Sequence, residues 1–453
     1  MVDKPPHQLR FFDLTIIVIS LVIGMGIFKA PSLVAAESHN IFIFFAAWVC
    51  GGIIALSGAL TYAEIGSRYP VMGGYYRIFA YSYHPAVGFI INIVILVSNA
   101  ISTAGVALIG AEYLVHAFFP VYWQTAVVQQ IVAILSILLF FLVNVFGLRM
   151  SSGTQNLLML IKLLMMLLLL GSLFVPLSHH SEVPASAMHL PQGSSFPELM
   201  RSLGAALIAV TFTYEGYQQT INFGAEVQRP GRTIPMAIAA AMGIIIPLYL
   251  ALNLAYVRVI GFDELPHTQA IAARLAGIVF GKLADQLFSL LLFISVLGYV
   301  NVSLLSNPRV IFAMSEDGIL PSVFTHRHTQ KQVLFPALLM FTLICISALF
   351  LSNQFNVLLN YTIFLDCIGM ASSAATIFFL RNAAKREQAT DMLSPGYMMK
   401  GYPWIPLFFI ACYLGIAVSI AMQDIFTVWF SIGLSAFCWL LYVLFRKMKI
   451  RRL

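Results

Sequence analysis

Apolar runs of some twenty residues follow one another through nearly the whole chain, separated only by short polar punctuation. Roughly twenty residues of helix are needed to cross a hydrocarbon layer about 30 Å thick. Within lipid the backbone has no water to bond, so such runs must be helical. The pattern predicts twelve spans, at about 11–36, 41–67, 83–116, 125–147, 152–177, 200–227, 233–258, 284–316, 333–352, 355–381, 403–423 and 425–446. Only 9% of the 453 residues are charged and 60% are hydrophobic, against roughly 25% charged in soluble domains, which excludes a water-soluble fold. The expected fold class is all-α integral membrane, one polytopic domain over residues 1–453. Spans 3 and 8 exceed the length of a crossing, which implies tilt or protrusion.

A net charge of +7 invites a comparison with nucleic-acid binders, but the basic residues form no patch or stripe. They sit in alternate loops. With the N-terminus in the cytoplasm, most of the 25 lysines and arginines face inward, including Arg10, Arg68, Arg77, Arg229, Arg309, Arg381 and the tail from Arg446, as the disfavoured translocation of basic residues demands. The loops after spans 3, 9 and 11 carry none, and the connection 178–199 carries only acids and histidines. Both termini are therefore expected in the cytoplasm, on a cell membrane. The N-terminal apolar stretch lacks a small-residue cleavage site and reads as a retained first helix. Cys50, Cys345, Cys367, Cys412 and Cys438 lie inside apolar runs without CxxC spacing and read as packing residues.

Two spans are interrupted at corresponding places. Span 1 contains Gly24-Met25-Gly26-Ile27-Phe28 followed by Pro31, and span 6 contains Thr211-Phe212-Thr213-Tyr214-Glu215-Gly216. At about 1.5 Å per residue both breaks fall near mid-membrane, and paired interruptions of this kind point to a substrate site. Spans 1 and 6 would open two oppositely directed five-helix halves, about 11–177 and 200–381, with two helices at about 403–446 appended. A break frees backbone groups that have no intrahelical partner. The half-helix beginning near Gly26 offers amides and a positive dipole end to a carboxylate, and carbonyls around Ile23 and Phe212 to Tyr214 suit an ammonium. The expected substrate-binding set is Ile23, Gly24, Met25, Gly26, Ile27, Phe212, Thr213, Tyr214 and Glu215. The competing explanation is that Gly24 and Gly26 only allow helices to pack closely.

Four ionisable residues, Glu64, Lys162, Glu215 and Asp366, lie deep in spans, where charge is expensive and usually functional. Lys162 sits too far from the end of span 5 to snorkel comfortably, so it should face protein. Its ammonium can replace a monovalent cation, donating to carbonyls of the span 1 break and to a hydroxyl on span 8; the alternative is a packing lysine paired with a carboxylate. Glu215 and Asp366 are placed to meet a substrate amine or exchange a proton, although Asp366 has the simpler option of bonding a neighbouring helix. Glu64, near the inner face, reads as mainly structural or as a gate contact. The ten histidines lack metal-site spacing, and no nucleotide-binding or hydrolase motif occurs. Neither enzyme, cofactor nor metal is expected.

These motifs resemble those of the amino acid, polyamine and organocation transporter superfamily, and within it the L-type amino acid transporter branch. GMGIF is similar to the family's GSGIF. TYAEIG with Arg68-Tyr69-Pro70 and Gly73-Gly74-Tyr75 is similar to its second helix and first loop. The segment from Phe212 to Gly216, with Glu226, Pro230, Arg232 and Pro235, resembles the family's sixth-helix region, and Gly298, Asn301, Ser303, Arg309 and SEDGILP its eighth. The resemblance implies a LeuT-like five-plus-five inverted repeat with discontinuous helices 1 and 6, alternating access, and a substrate carboxylate on the span 1 amides. Lys162 matches the lysine of sodium-independent members, reaching toward span 1 and Ser303, and Asn301 joins Asp366 as a candidate proton or substrate contact. Met25 replaces a small serine and Glu215 stands where several relatives have glycine. The loop HAFFPVYWQ lacks the cysteine by which animal members attach a heavy chain, so no disulfide-linked partner is expected.

The expectation is thus a sodium-independent amino acid transporter, an exchanger or proton-coupled carrier, monomeric or weakly dimeric. Neutral L-amino acids come first and cationic amino acids or polyamines second. A membrane sensor or channel is the alternative of another class; the loops, about 20 to 25 residues at most, leave a sensor no soluble domain.

Overall fold

The computed structural model describes residues 9–24, 26–71, 73–175, 196–268, 270–328, 333–350, 355–386 and 396–450. Among these, regular structure is helical throughout, apart from one isolated parallel bridge between Leu9 and Val227. The α-helices are α1 (Phe11–Val22), α2 (Gly26–Ser38), α3 (Ile41–Arg68), α4 (Gly74–Ser82), α5 (Pro85–Phe118), α6 (Ala126–Val145), α7 (Leu148–Gly171), α8 (Phe196–Tyr214), α9 (Pro230–Ile260), α10 (Ile271–Phe280), α11 (Lys282–Ser306), α12 (Pro308–Glu316), α13 (Phe335–Ala348), α14 (Phe355–Arg386), α15 (Trp404–Gln423) and α16 (Ile425–Ile450). Ten stretches among the described residues are long and apolar enough to cross a membrane, counting α1 with α2 and α11 with α12 as single crossings. The helices α8 and α13 fall outside those ten.

Burial separates a centre from a periphery. In its most apolar stretch α5 is 83% buried and α16 only 17%, so α5 is an inner column and α16 an outer one. The inner column packs on α11 and α14, while α3 packs on α9 and α8, and α2 on α8. Along α6 the exposed side chains Val127, Ile131, Leu135, Leu138 and Leu142 recur every three or four residues. Such a stripe is a liability in water and a natural contact for acyl chains. The chain is a multi-pass membrane protein.

Several boundaries differ from the sequence pattern, each for a local reason. Span 6 does not continue as α-helix to residue 227; after Tyr214 the chain turns through Gly216 into the 3-10 helices Tyr217–Asn222 and Gly224–Glu226. Span 8 is divided because Pro308 has no amide to bond the preceding turn and instead starts α12. The loops between spans 2 and 3 and between spans 7 and 8 contain α4 and α10. The connection 178–195 lies outside the described residues, as does Met25.

Ion pairs among the described residues gather on the face where α1 begins. Glu64, fully buried, accepts from Arg68 Nε at 2.8 Å, from Arg381 Nε and Nη2 at 2.8 and 2.7 Å, and from the Met399 amide at 2.8 Å. It therefore ties α3, α14 and the segment before α15 together. Glu226 holds Arg309 through two bonds of 3.0 and 2.8 Å, and Arg77 meets Glu316 and Asp317 at a more open position. Beside Glu226, Leu9 donates to the Glu226 carbonyl at 2.7 Å and accepts from the Gln228 amide at 2.9 Å.

Candidate functional site

The two helix breaks press against each other at the core. The first helix stops at Val22 because the chain turns at Ile23, whose φ/ψ of −75°/78° leaves the α region, and the Gly24 amide bonds back to the Val22 carbonyl at 2.7 Å. The second break turns on Gly216, whose φ of +120° disfavours any side chain. A Cβ there would lie 2.2 Å from the Leu21 carbonyl oxygen, and one on Gly26 would lie 2.8 Å from the Thr213 backbone. Glycine is thus required where backbone meets backbone, at both breaks.

The carbonyls freed by the first break find protein donors. Tyr249 Oη donates to the Val22 carbonyl at 3.2 Å, and Lys162 Nζ, almost fully buried, donates to the Ile23 carbonyl. The hydroxyl expected to share Lys162 lies elsewhere in the network. Ser303 Oγ pairs with Thr103 Oγ1 at 2.6 Å and accepts from Asn307 Nδ2 at 3.2 Å.

Between the breaks lies a cavity of ≈ 30 Å³ walled by α1, α2, α5, α8, the Gly216 turn, α11 and α14. Gly24, Gly26, Phe212, Thr213, Glu215 and Asp366 from the expected set line it. Ile23, Ile27 and Tyr214 do not: the two isoleucines are fully buried in the core, and Tyr214 packs on Trp48 and Tyr249. Asn301 is not among the residues lining the cavity; its side chain bonds Asn144 and Gln155, at 2.9 Å each, linking α11, α6 and α7. The volume admits a water molecule rather than an amino acid, so the walls must part to take one in.

Polar side chains not singled out in the sequence complete the wall. Asn99 and Ser102 of α5, Gln218 and Gln219 after Gly216, and Tyr299 of α11 all face the cavity. Ser102 Oγ and Tyr299 Oη are 3.0 Å apart, Gln219 Nε2 donates to Asn99 Oδ1 at 3.2 Å, and Asn99 Nδ2 donates to Asn307 Oδ1 at 2.8 Å. Gln219 Oε1 is buried with no partner. Among the described residues neither carboxyl in the wall has a basic partner: Glu215 accepts from Tyr413 Oη at 3.1 Å and Asp366 from Ser98 Oγ at 2.8 Å. The signal for Asn99 and Ser102 in the sequence is the run of uncharged polar residues in mid-span, SNAIST. The described residues hold no group of three His, Cys, Asp or Glu suited to a metal ion.

Over residues 9–445 the chain matches the family model described as amino acid permease. It is 27% identical over 406 residues to the serine/threonine exchanger SteT of Bacillus subtilis, covering 88% of this chain and 87% of the relative. It is 26% identical over 366 residues to the human large neutral amino acids transporter small subunit 2, covering 81% and 68%. To the human cystine/glutamate transporter it is 26% identical over 417 residues, covering 89% and 78%. A match running almost end to end, over a bundle whose first and sixth spans break at one polar cavity, has one meaning: the chain belongs to the amino acid permease family, a family of membrane transporters, and its distant relatives include L-type transporter subunits.

Proposed function

We infer that this chain is a sodium-independent secondary transporter of neutral L-amino acids, working by alternating access at the cavity between the two breaks. The carrying observation is Lys162. Its Nζ donates to the Ile23 carbonyl at the break itself, occupying a freed carbonyl that a sodium ion could otherwise coordinate. Counting α8 with the turns after it and α13 as two further crossings gives twelve spans, arranged as a LeuT-like five-plus-five inverted repeat with α15 and α16 appended. On this reading the termini are cytoplasmic, in a plasma or bacterial inner membrane. The substrate carboxylate takes the first amides of α2, and its ammonium takes carbonyl oxygens of the two breaks together with Gln219 Oε1, since an orphaned buried acceptor is worth about 1–3 kcal/mol to a donor that reaches it. The wall formed by Asn99, Ser102, Gln218 and Tyr299 accords with a small polar side chain, and exchange is the coupling named for the Bacillus relative. In proteoliposomes, uptake of L-serine or L-leucine that is equal with and without sodium, and accelerated by internal amino acid, is the expected result. Uptake that requires sodium would overturn the role given to Lys162.

A second reading rests on Glu215 and Asp366, two carboxyls in one wall without a basic partner among the described residues. They suit a substrate that brings a second positive charge, a cationic amino acid or polyamine, or they carry a proton with the substrate. Competition by L-arginine or putrescine that vanishes in Glu215→Gln supports the cationic substrate; unchanged selectivity sinks it. Uptake indifferent to an imposed pH gradient, in the wild type and in Asp366→Asn, removes proton coupling.

A further inference from the structure

A second, larger cavity lies farther from the start of α1 along the same three columns that wall the first. Its volume is ≈ 170 Å³, and Lys29 of α2, Glu112 and His116 of α5, and Gln286 and Ser289 of α11 line it. The two cavities are stacked. Lys29 follows Gly26 by about 4.5 Å of helix rise, and Glu112 follows Val106 by about 9 Å. Lys29 and Glu112 are each half-buried, and among the described residues neither side chain makes a hydrogen bond or ion pair; their charged atoms are more than 4.0 Å apart. Two opposite charges thus face one cavity without neutralising each other. A simple anion would satisfy only the lysine and a simple cation only the glutamate. A zwitterion satisfies both, its carboxylate on Lys29 and its ammonium on Glu112, with Gln286 and His116 lining the space beside them.

We propose that this cavity is a second amino acid site, an antechamber from which the central cavity is filled. The proposal rests on the reading that the chain carries amino acids. Equilibrium binding of radiolabelled L-serine, L-leucine and L-arginine to the purified full-length protein tests it. The expected result is two equivalents of one probe per chain, falling to one in Lys29→Gln/Glu112→Gln and returning to two in the charge swap Lys29→Glu/Glu112→Lys, which keeps both charges in exchanged places. In the double-neutral variant the KM for uptake from the antechamber side should rise several-fold. One equivalent in the wild type, with uptake intact, overturns the antechamber while leaving the central site standing, whatever the variants do. Two equivalents that persist in the double-neutral variant overturn the assignment to Lys29 and Glu112. Neither binding nor uptake of any probe overturns both readings together.

Discussion

Lys162 and Gly216 answer different questions about the same break. Replacing Lys162 by Met keeps the bulk but leaves the Ile23 carbonyl buried without a donor, a loss of about 1–3 kcal/mol. Initial uptake rates in proteoliposomes are expected to fall at least about tenfold, whereas Ser303→Ala, whose hydroxyl bonds Thr103 and Asn307 rather than Lys162, should stay within a few-fold. Gly216→Ala forces a Cβ onto the Leu21 carbonyl at a φ of +120° and should lower the thermal midpoint by several degrees. Gly153→Ala, where a Cβ meets nothing within 4 Å, should leave that midpoint unchanged or slightly raised. Glycines, the buried lysine and the carboxyls were legible because each violates the rule of its surroundings. Asn99, Gln219 and Tyr299 were not: a neutral polar residue in mid-span carries no sign of which helix it will face, and the Gln219–Asn99 bond joins residues 120 apart in sequence.

Among the helices, one carboxylate gathers the densest set of bonds at the join between α3, α14 and the chain before α15, beside the Tyr62–Met370 and Tyr397–Ser67 bonds. Glu64 is fully buried and satisfied by two guanidinium groups and an amide, with Arg381 also stacked 3.9 Å above the Tyr402 ring. Removing one partner of a buried pair costs about 3–5 kcal/mol, while an exposed pair is worth about 0–1 kcal/mol. Glu64→Gln should therefore lower the unfolding midpoint in detergent markedly and Arg77→Gln hardly at all, since Arg77 and Glu316 are open to solvent. Equal effects would mean that the hub does not hold these helices. The sequence pattern located the long helices because hydropathy records length directly. It missed the division at Pro308 and the short helices α4 and α10, where local turn chemistry and packing on neighbours, rather than an apolar run, decide the structure.

At the scale of the whole molecule, the ion pairs among the described residues cluster on the face where α1 begins, so the direction of insertion is a testable property of the entire bundle. In a cysteine-free background, Tyr122→Cys, at a strongly exposed position between α5 and α6, should react with a membrane-impermeant maleimide in intact cells, and Ser322→Cys, exposed after α12, only once the membrane is opened. The reverse pattern would invert the assigned orientation. The bridge between Leu9 and Val227 has a consequence for how its two helices can part. Its two backbone bonds, from Leu9 to the Glu226 carbonyl and from the Gln228 amide to Leu9, fasten the lead-in of α1 to the segment that leads into α9. Swinging α1 aside means unzipping that lead-in first. The tie thus couples the entry into the first helix to the entry into α9, and a displacement of one without the other breaks both bonds.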